Sequence, residues 1–181
     1  MHRTLVLLLI AFLAGPVVAE DPLRVAVASN FSRTFEQLAV RFSEETGIVV
    51  DSATGSTGKL YAQIVNGAPF DVFLAADADR PALLEASGKA VPGSRFTYAT
   101  GRLVLWSRDA DDCVEALHAS TWVALANPDT APYGRAARDF LQHANHWRDV
   151  SGRVAYAENV MRFCNLQHPA TPASGLSRSL C

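Results

Sequence analysis

The sequence has little of what several large classes of protein require. Its three cysteines, Cys113, Cys164 and Cys181, form no Cys-x-x-Cys pair of the kind found in metal and redox sites. The charges nearly balance, with 16 Lys and Arg against 18 Asp and Glu, so there is no basic stripe for a nucleic acid. Three cysteines cannot all pair within one chain. A buried structural thiol is therefore expected for Cys113.

The first nineteen residues have the pattern of a secretory signal. His2 and Arg3 precede an apolar run over residues 5–13, and small residues then lead to an expected cleavage after Ala19. The run is short for a transmembrane helix, and no cysteine at the junction could take a lipid. The alternative is a buried N-terminal helix. The pattern favours an exported protein of about 160 residues after cleavage.

Apolar segments alternate with helical periodicity from residue 23 to about residue 163, which predicts an α/β fold with mostly parallel sheets. Strands are predicted at residues 23–30, 48–52, 71–77, 101–107, 122–126 and 153–157. Helices are predicted at residues 31–42, 59–65, 80–87 and 135–144, and another begins at Glu158. A chain of this length forms one ordinary domain or two small lobes.

One local arrangement occurs twice: an apolar strand runs into small hydroxyl or glycine residues that open an amphipathic helix. Ser29 lies at the first junction, and Ser56 and Thr57 lie at the second, between two glycines. Each junction brings together free backbone N–H groups, a hydroxyl and the positive end of a helix dipole. Side by side, the two junctions would form a pocket for a small anion. Plain helix capping is the alternative, and the nearby Lys59 is either a solvated charge or a phosphate-steering cation.

The hydroxyl residues do not have the pattern of a catalytic site. Ser29 and Ser56 lack a Gly-x-Ser-x-Gly elbow, and no histidine lies in this part of the sequence. A nucleophile needs a positioned base to be activated. The sequence therefore predicts a protein that is not an enzyme, with no catalytic residues and no cofactor.

A set of specific motifs extends from residue 23 to about residue 161. They are Ala28-Ser29-Asn30-Phe31, Gly55-Ser56-Thr57-Gly58-Lys59-Leu60, Gly67-Ala68-Pro69-Phe70-Asp71-Val72-Phe73 with Ala76-Asp77, Pro92-Gly93-Ser94-Arg95, Ala126-Asn127-Pro128, Ala131-Pro132-Tyr133-Gly134 and Glu158-Asn159-Val160. Together they resemble the periplasmic molybdate-binding proteins of ABC importers. The resemblance implies the two-lobed type II periplasmic-binding-protein fold, an α/β fold with parallel sheets and flanking helices.

The resemblance also implies a ligand and the residues that hold it. Such proteins clamp molybdate or tungstate between their lobes with neutral hydrogen bonds. By resemblance, Ser29 offers its hydroxyl and amide, Thr57 offers the second hydroxyl with Ser56 adjacent, and Tyr133 and Val160 offer backbone amides. Molybdenum is then bound as an oxyanion and not as a bare cation. The implied partner is a membrane permease, and the protein is expected to be a periplasmic monomer that binds no nucleic acid.

The resemblance ends at about residue 161. Residues 162–181 have no strand or helix period, and permitted codons for residues 165–179, read two bases later, can encode a segment similar to the family's strand. A frameshift near Arg162 is therefore hypothesised, with a divergent tail as the alternative. The expected organisation is a signal peptide at 1–19, the first lobe at 20–97, a partial second lobe at 98–161 and an aberrant tail at 162–181.

The sequence is compatible with two further hypotheses about the function. A chain without the later part of the fold would expose apolar surface, and it would then be a poorly soluble product that binds molybdate weakly or not at all. A second alternative keeps the fold but changes the ligand to sulfate, phosphate or an organic anion. A site made only of donors rejects protonated phosphate because it has no acceptor for the proton.

Overall fold

A computed structural model describes residues 21–107 and 112–159. Within them, two separate parallel sheets are flanked by helices. The strands are β1 (Leu23–Ala28), β2 (Val50–Gly55), β3 (Val72–Leu74), β4 (Val123–Ala126) and β5 (Val154–Ala157). The first sheet has the order β2-β1-β3, and the second pairs β4 with β5. The helices are α1 (Ser32–Thr46), α2 (Thr57–Val65), α3 (Asp79–Ala86), α4 (Cys113–Ala119), α5 (Pro132–His143) and α6 (Trp147–Val150).

The first lobe is the three-stranded sheet with α1, α2 and α3. Its central strand β1 is buried, since Val25, Ala26 and Val27 are at most 2% exposed, as expected for a parallel strand with a neighbour on each side. In the register of β1 and β2, Ala28 lies opposite Gly55. The two strands therefore end side by side, and the hydroxyl residues that follow them meet at one edge of the sheet.

The second lobe is the β4–β5 pair with α4, α5 and α6. Its core consists of four buried residues, Leu117, Leu125, Leu141 and Val150. The guanidinium of Arg153, beside β5, donates hydrogen bonds to the carbonyl oxygens of Leu117 at 2.9 Å and His118 at 3.1 Å. These bonds satisfy carbonyls in the last turn of α4 that have no partner within the helix.

The α/β fold with two lobes is confirmed, whereas the predicted free thiol is wrong. Cys113 is 2% exposed but takes part in a disulfide bond. The signal at 1–19, the amide of Val160 and the tail at 162–181 lie outside the described residues. The lobe limits at 20–97 and 98–161 remain predictions.

The predicted strand at 101–107 is also wrong. Within it, Trp106 makes an isolated bridge, and Leu103 and Val104 are 41% and 50% exposed. An apolar segment forms a strand only when it can exchange backbone hydrogen bonds with a neighbouring strand. Residues 101–107 belong to neither of the two described sheets. Elsewhere the structure has more regular elements than the sequence predicted. Strand β2 continues through Gly55, and the helices α4 and α6 were not predicted.

The first lobe has an apolar groove, defined here by Leu23, Phe31, Phe35, Leu38, Phe42 and Tyr98, with a volume of about 300 Å³. Leu38 is 50% exposed and Phe42 is 38% exposed. Apolar surface of this kind is expected to be covered in a stable protein. Over the described ranges, none of the helices has the length and apolar character needed to cross a membrane.

Candidate anion-binding site

A small pocket lies where the two lobes meet. The first lobe contributes Ala28, Ser29, Asn30, Ser56, Thr57 and Ala76, and the second contributes Ala131, Pro132 and Tyr133. Its volume of about 10 Å³ leaves space for roughly one water-sized sphere. The structure thus brings together four predicted site residues, Ser29, Ser56, Thr57 and Tyr133, that span more than half of the sequence.

Ser56 is the most informative residue of the pocket. It is 2% exposed and precedes α2 at the N-cap position, yet its side chain makes no capping hydrogen bond. Its Oγ is a buried side-chain atom without a hydrogen-bond partner, and no other such atom occurs in residues 21–107 and 112–159. An unpaired buried hydroxyl costs about 1–3 kcal/mol. Helix capping therefore does not explain Ser56, and its hydroxyl is available to a ligand.

Thr57, the next residue, has a different environment. It is 1% exposed, and its Oγ1 accepts a hydrogen bond of 3.1 Å from the backbone N–H of Ala76. This bond joins the start of α2 to the loop that follows β3. Because a hydroxyl accepts and donates at once, the proton of Thr57 remains available to a ligand while its oxygen supports the loop.

Ser29 and Asn30 form the other half of the first-lobe wall. Both lie in a short 3-10 turn, Ser29–Phe31, between β1 and α1, and the turn has no side-chain cap. Ser29 is 5% exposed, and its carbonyl accepts a hydrogen bond of 3.0 Å from the hydroxyl of Ser32. The first N–H groups of a helix have no acceptor within it. Asn30 was not among the predicted site residues, although it lies in the quoted Ala-Ser-Asn-Phe motif.

Tyr133 reaches the pocket through the first turn of α5. Pro132 occupies the first turn, where its missing N–H costs nothing, and the Tyr133 amide belongs to the same turn of unpaired donors. The next residue, Gly134, packs so closely on β4 that a Cβ there would overlap the carbonyl of Ala126. A glycine at this position therefore lets the first turn of α5, which carries the Tyr133 amide, pack directly against the end of β4.

The pocket is lined by neutral residues alone. The nearest cation along the sequence, Lys59, forms an ion pair of 2.6 Å between its Nζ and Oε1 of Glu158. Asp77, which follows the pocket residue Ala76, is paired with Arg80 and lies 3.4 Å from Arg135. Lys59 is thus neither an isolated solvated charge nor a ligand-facing cation, and the hydrogen-bonding groups that line the site are uncharged hydroxyls and amides.

Tyr98 supports the first-lobe side of the pocket. Its hydroxyl donates a hydrogen bond of 2.7 Å to the carbonyl of Ala75, and its ring meets that of Phe31 edge to face, with centroids 5.0 Å apart. Burial raises the pKa of Tyr98 above its ordinary value, and the nearby Tyr133 raises it further. The neutral phenol is therefore the form that the folded protein favours.

The raised pKa makes Tyr98 a source of instability at high pH. Because the folded state holds the phenol proton more tightly, its contribution is complete below the ordinary tyrosine pKa of about 10 and is lost as pH rises through the folded value. We expect Tyr98→Phe to lower the free energy of unfolding by about 1 kcal/mol at neutral pH and to flatten its decline above pH 10. Urea unfolding from pH 7 to 11 measures both effects. Tyr156→Phe, at a residue that is 52% exposed, is the control; equal pH profiles for the two variants would contradict the assignment.

Comparison with known proteins agrees with this architecture. A family model described as bacterial extracellular solute-binding protein matches residues 23–173. The molybdate-binding protein ModA of Rhodobacter capsulatus is 41% identical over 158 residues, which are 85% of this chain and 62% of that protein. The molybdate-binding protein ModA of Azotobacter vinelandii is 49% identical over 123 residues, which are 65% and 49% of the two chains.

A solved structure shows the same similarity in three dimensions. The periplasmic molybdate-binding protein of Azotobacter vinelandii matches with a TM-score of 0.72 and 44% identity, covering 77% of this chain and 63% of that one. The chain spans less than two thirds of the length of these relatives. Since the family model matches well over half of the sequence, the chain belongs to the bacterial extracellular solute-binding protein family.

Proposed function

We propose that this chain binds molybdate, or the similar dianion tungstate, for an ABC importer in the periplasm. The observation that carries the proposal is the unpaired buried hydroxyl of Ser56 in a pocket without charged side chains. Hydrogen bonds to a charged partner contribute about 1.5–3 kcal/mol each. Several of them, from Ser29, Ser56, Thr57 and the Tyr133 amide, would replace the hydration of a compact dianion.

The neutrality of the pocket favours one class of anion. A fully deprotonated tetrahedral dianion accepts hydrogen bonds at every oxygen, which matches the hydroxyl and amide N–H donors of this pocket. Monoprotonated phosphate carries a proton that needs an acceptor, and the described residues that line the pocket include no carboxylate to take it; an unmatched buried polar group opposes binding. The names of the similar proteins further favour molybdate. Such a protein needs no cofactor and no catalytic group, and its partner is the importer's permease.

Thermal unfolding with added anions tests this function. A ligand that binds only the folded state at 1,000 times its Kd stabilises that state by about 4.1 kcal/mol. We expect molybdate and tungstate to raise the melting temperature in a concentration-dependent manner and phosphate to leave it unchanged. An equal shift with phosphate would contradict the discrimination against a protonated anion, and a shift with sulfate alone would assign the pocket to a smaller anion.

A second candidate is a chain that folds but does not bind. The apolar groove of the first lobe favours it, because about 300 Å³ of apolar space is open to solvent, and exposed apolar surface promotes association. In that case the protein would be poorly soluble and none of the four anions would shift its melting temperature. A cooperative transition that molybdate raises would exclude this candidate.

A further inference from the structure

Beside the pocket, the two lobes touch at a point where a side chain would not fit. The backbone N–H of Gly58 donates a hydrogen bond of 2.8 Å to the carbonyl oxygen of Thr130 in the second lobe. A Cβ on Gly58 would lie 2.9 Å from that oxygen and 3.1 Å from the Thr130 Cα. Gly58 thus directs its amide at the opposite lobe and not at the pocket.

Ion pairs also join the two lobes. Lys59 of α2, the residue after Gly58, pairs with Glu158 after β5 at 2.6 Å. Arg135 of α5 reaches Asp77 at 3.4 Å and Asp79 at 3.6 Å. The guanidinium of Arg80 also donates to the carbonyl of Asp129 at 3.3 Å.

The burial of these groups differs. The side chain of Asp77 is 10% exposed and that of Arg80 is 16% exposed, whereas Lys59 and Glu158 are 50% and 35% exposed. Exposed pairs contribute little and are screened by salt. The buried carboxylate of Asp77, in contrast, needs its cations, so separating it from Arg135 leaves a charge less well compensated.

We propose that Gly58, together with the ion pairs Lys59–Glu158 and Asp77–Arg135, forms a latch that sets the balance between the open and closed lobes and thereby the affinity for the anion. The latch residues Gly58, Lys59, Asp77, Arg135 and Glu158 are not among the residues that line the pocket. A ligand that binds between lobes binds the closed form, so its apparent affinity falls with the fraction of protein that is closed. This inference rests on the proposed function, because it assumes that the anion binds between the lobes.

Gly58→Ala tests the latch with opposite effects on stability and binding. Alanine has the higher helix propensity, and Gly58 does not have the left-handed backbone that favours glycine. Because the overlap with Thr130 lies between the lobes, opening of the lobes relieves it without unfolding either one. We therefore expect a melting temperature without ligand that does not fall, but at least a 10-fold weaker affinity for molybdate by calorimetric titration. Gly152→Ala is the control, because a Cβ there meets nothing within 4 Å. Equal affinities for the two variants would overturn the proposal.

Amide exchange tests the latch without any ligand. Protection of the Gly58 amide reports opening of the Gly58–Thr130 bond, and we expect Arg135→Met to speed its exchange at least threefold. Arg138→Met is the control on the same helix, since Arg138 approaches its neighbour Asp139 at 3.8 Å. Equal exchange rates in the two variants would overturn the latch. Failure of the unaltered protein to bind molybdate, with faster exchange in Arg135→Met, would refute the proposed function and leave the latch supported.

Discussion

Replacing Ser56 with alanine is expected to weaken molybdate binding by about 10- to 100-fold without destabilising the protein. The lost hydrogen bond to a charged ligand contributes about 1.5–3 kcal/mol, and each 1.4 kcal/mol is a factor of ten in affinity. Most substitutions of a buried residue lower stability. Here the removed hydroxyl has no hydrogen-bond partner in the described part of the chain. Its deletion therefore removes a buried polar group whose burial costs free energy.

Affinity and stability must both be measured for Ser56→Ala, because a ligand-binding role predicts that only the affinity falls. Calorimetric titration with molybdate gives the affinity, and urea unfolding without ligand gives the stability. Ser52→Ala, at an exposed position of β2, is the matched control and should change neither quantity. A loss of stability in Ser56→Ala would mean that the hydroxyl has a structural role. An unchanged affinity would remove Ser56 from the site and would take away the main support for the proposed function.

Much of the first lobe could be predicted from sequence because its signals are local. The apolar run that became β1 and the periodic segment that became α1 need no information from elsewhere in the chain. The convergence of Ser29 and Ser56 also follows from local reasoning, since the carboxyl ends of neighbouring parallel strands meet at one edge of a sheet. In the structure, Ala28 at the end of β1 pairs with Gly55 at the end of β2, so the residues that follow the two strands start at the same edge.

The remaining features depend on contacts between distant residues. Lys59 pairs with Glu158, which lies 99 positions further along the chain. No helix or strand periodicity relates two residues so far apart, so the pair could not be predicted from the sequence. The segment at 101–107 has the composition of a strand, but neither described sheet offers it a neighbour. The roles of Ser56 and Thr57 could not be separated either. The two residues are adjacent, and each carries a hydroxyl. They differ because the Ala76 N–H donates to the Thr57 hydroxyl and leaves that of Ser56 unpaired, and this depends on the position of the distant loop after β3.

Replacing Thr57 with valine is expected to lower both stability and affinity, unlike the change at Ser56. Valine has nearly the shape of threonine but cannot accept the hydrogen bond from the Ala76 N–H. That part-buried donor would lose its partner at a cost of about 1 kcal/mol. Since Ala76 also lines the pocket, displacement of its loop should weaken molybdate binding as well.

Thr57→Ser separates the hydroxyl from the methyl group of the same residue. Serine keeps the acceptor for Ala76 and loses one methyl, which costs about 1 kcal/mol when buried. We expect Thr57→Ser to bind molybdate within about threefold of the unaltered chain, and Thr57→Val to bind at least 10-fold more weakly. Urea unfolding and calorimetric titration of the pair check both quantities. If Thr57→Val lost stability but kept its affinity, Thr57 would support the loop without binding the anion, and Ser56 would supply the hydroxyl from the second junction. If Thr57→Val kept its stability but bound molybdate more weakly, the bond to Ala76 would contribute nothing, and the hydroxyl of Thr57 would serve the ligand alone.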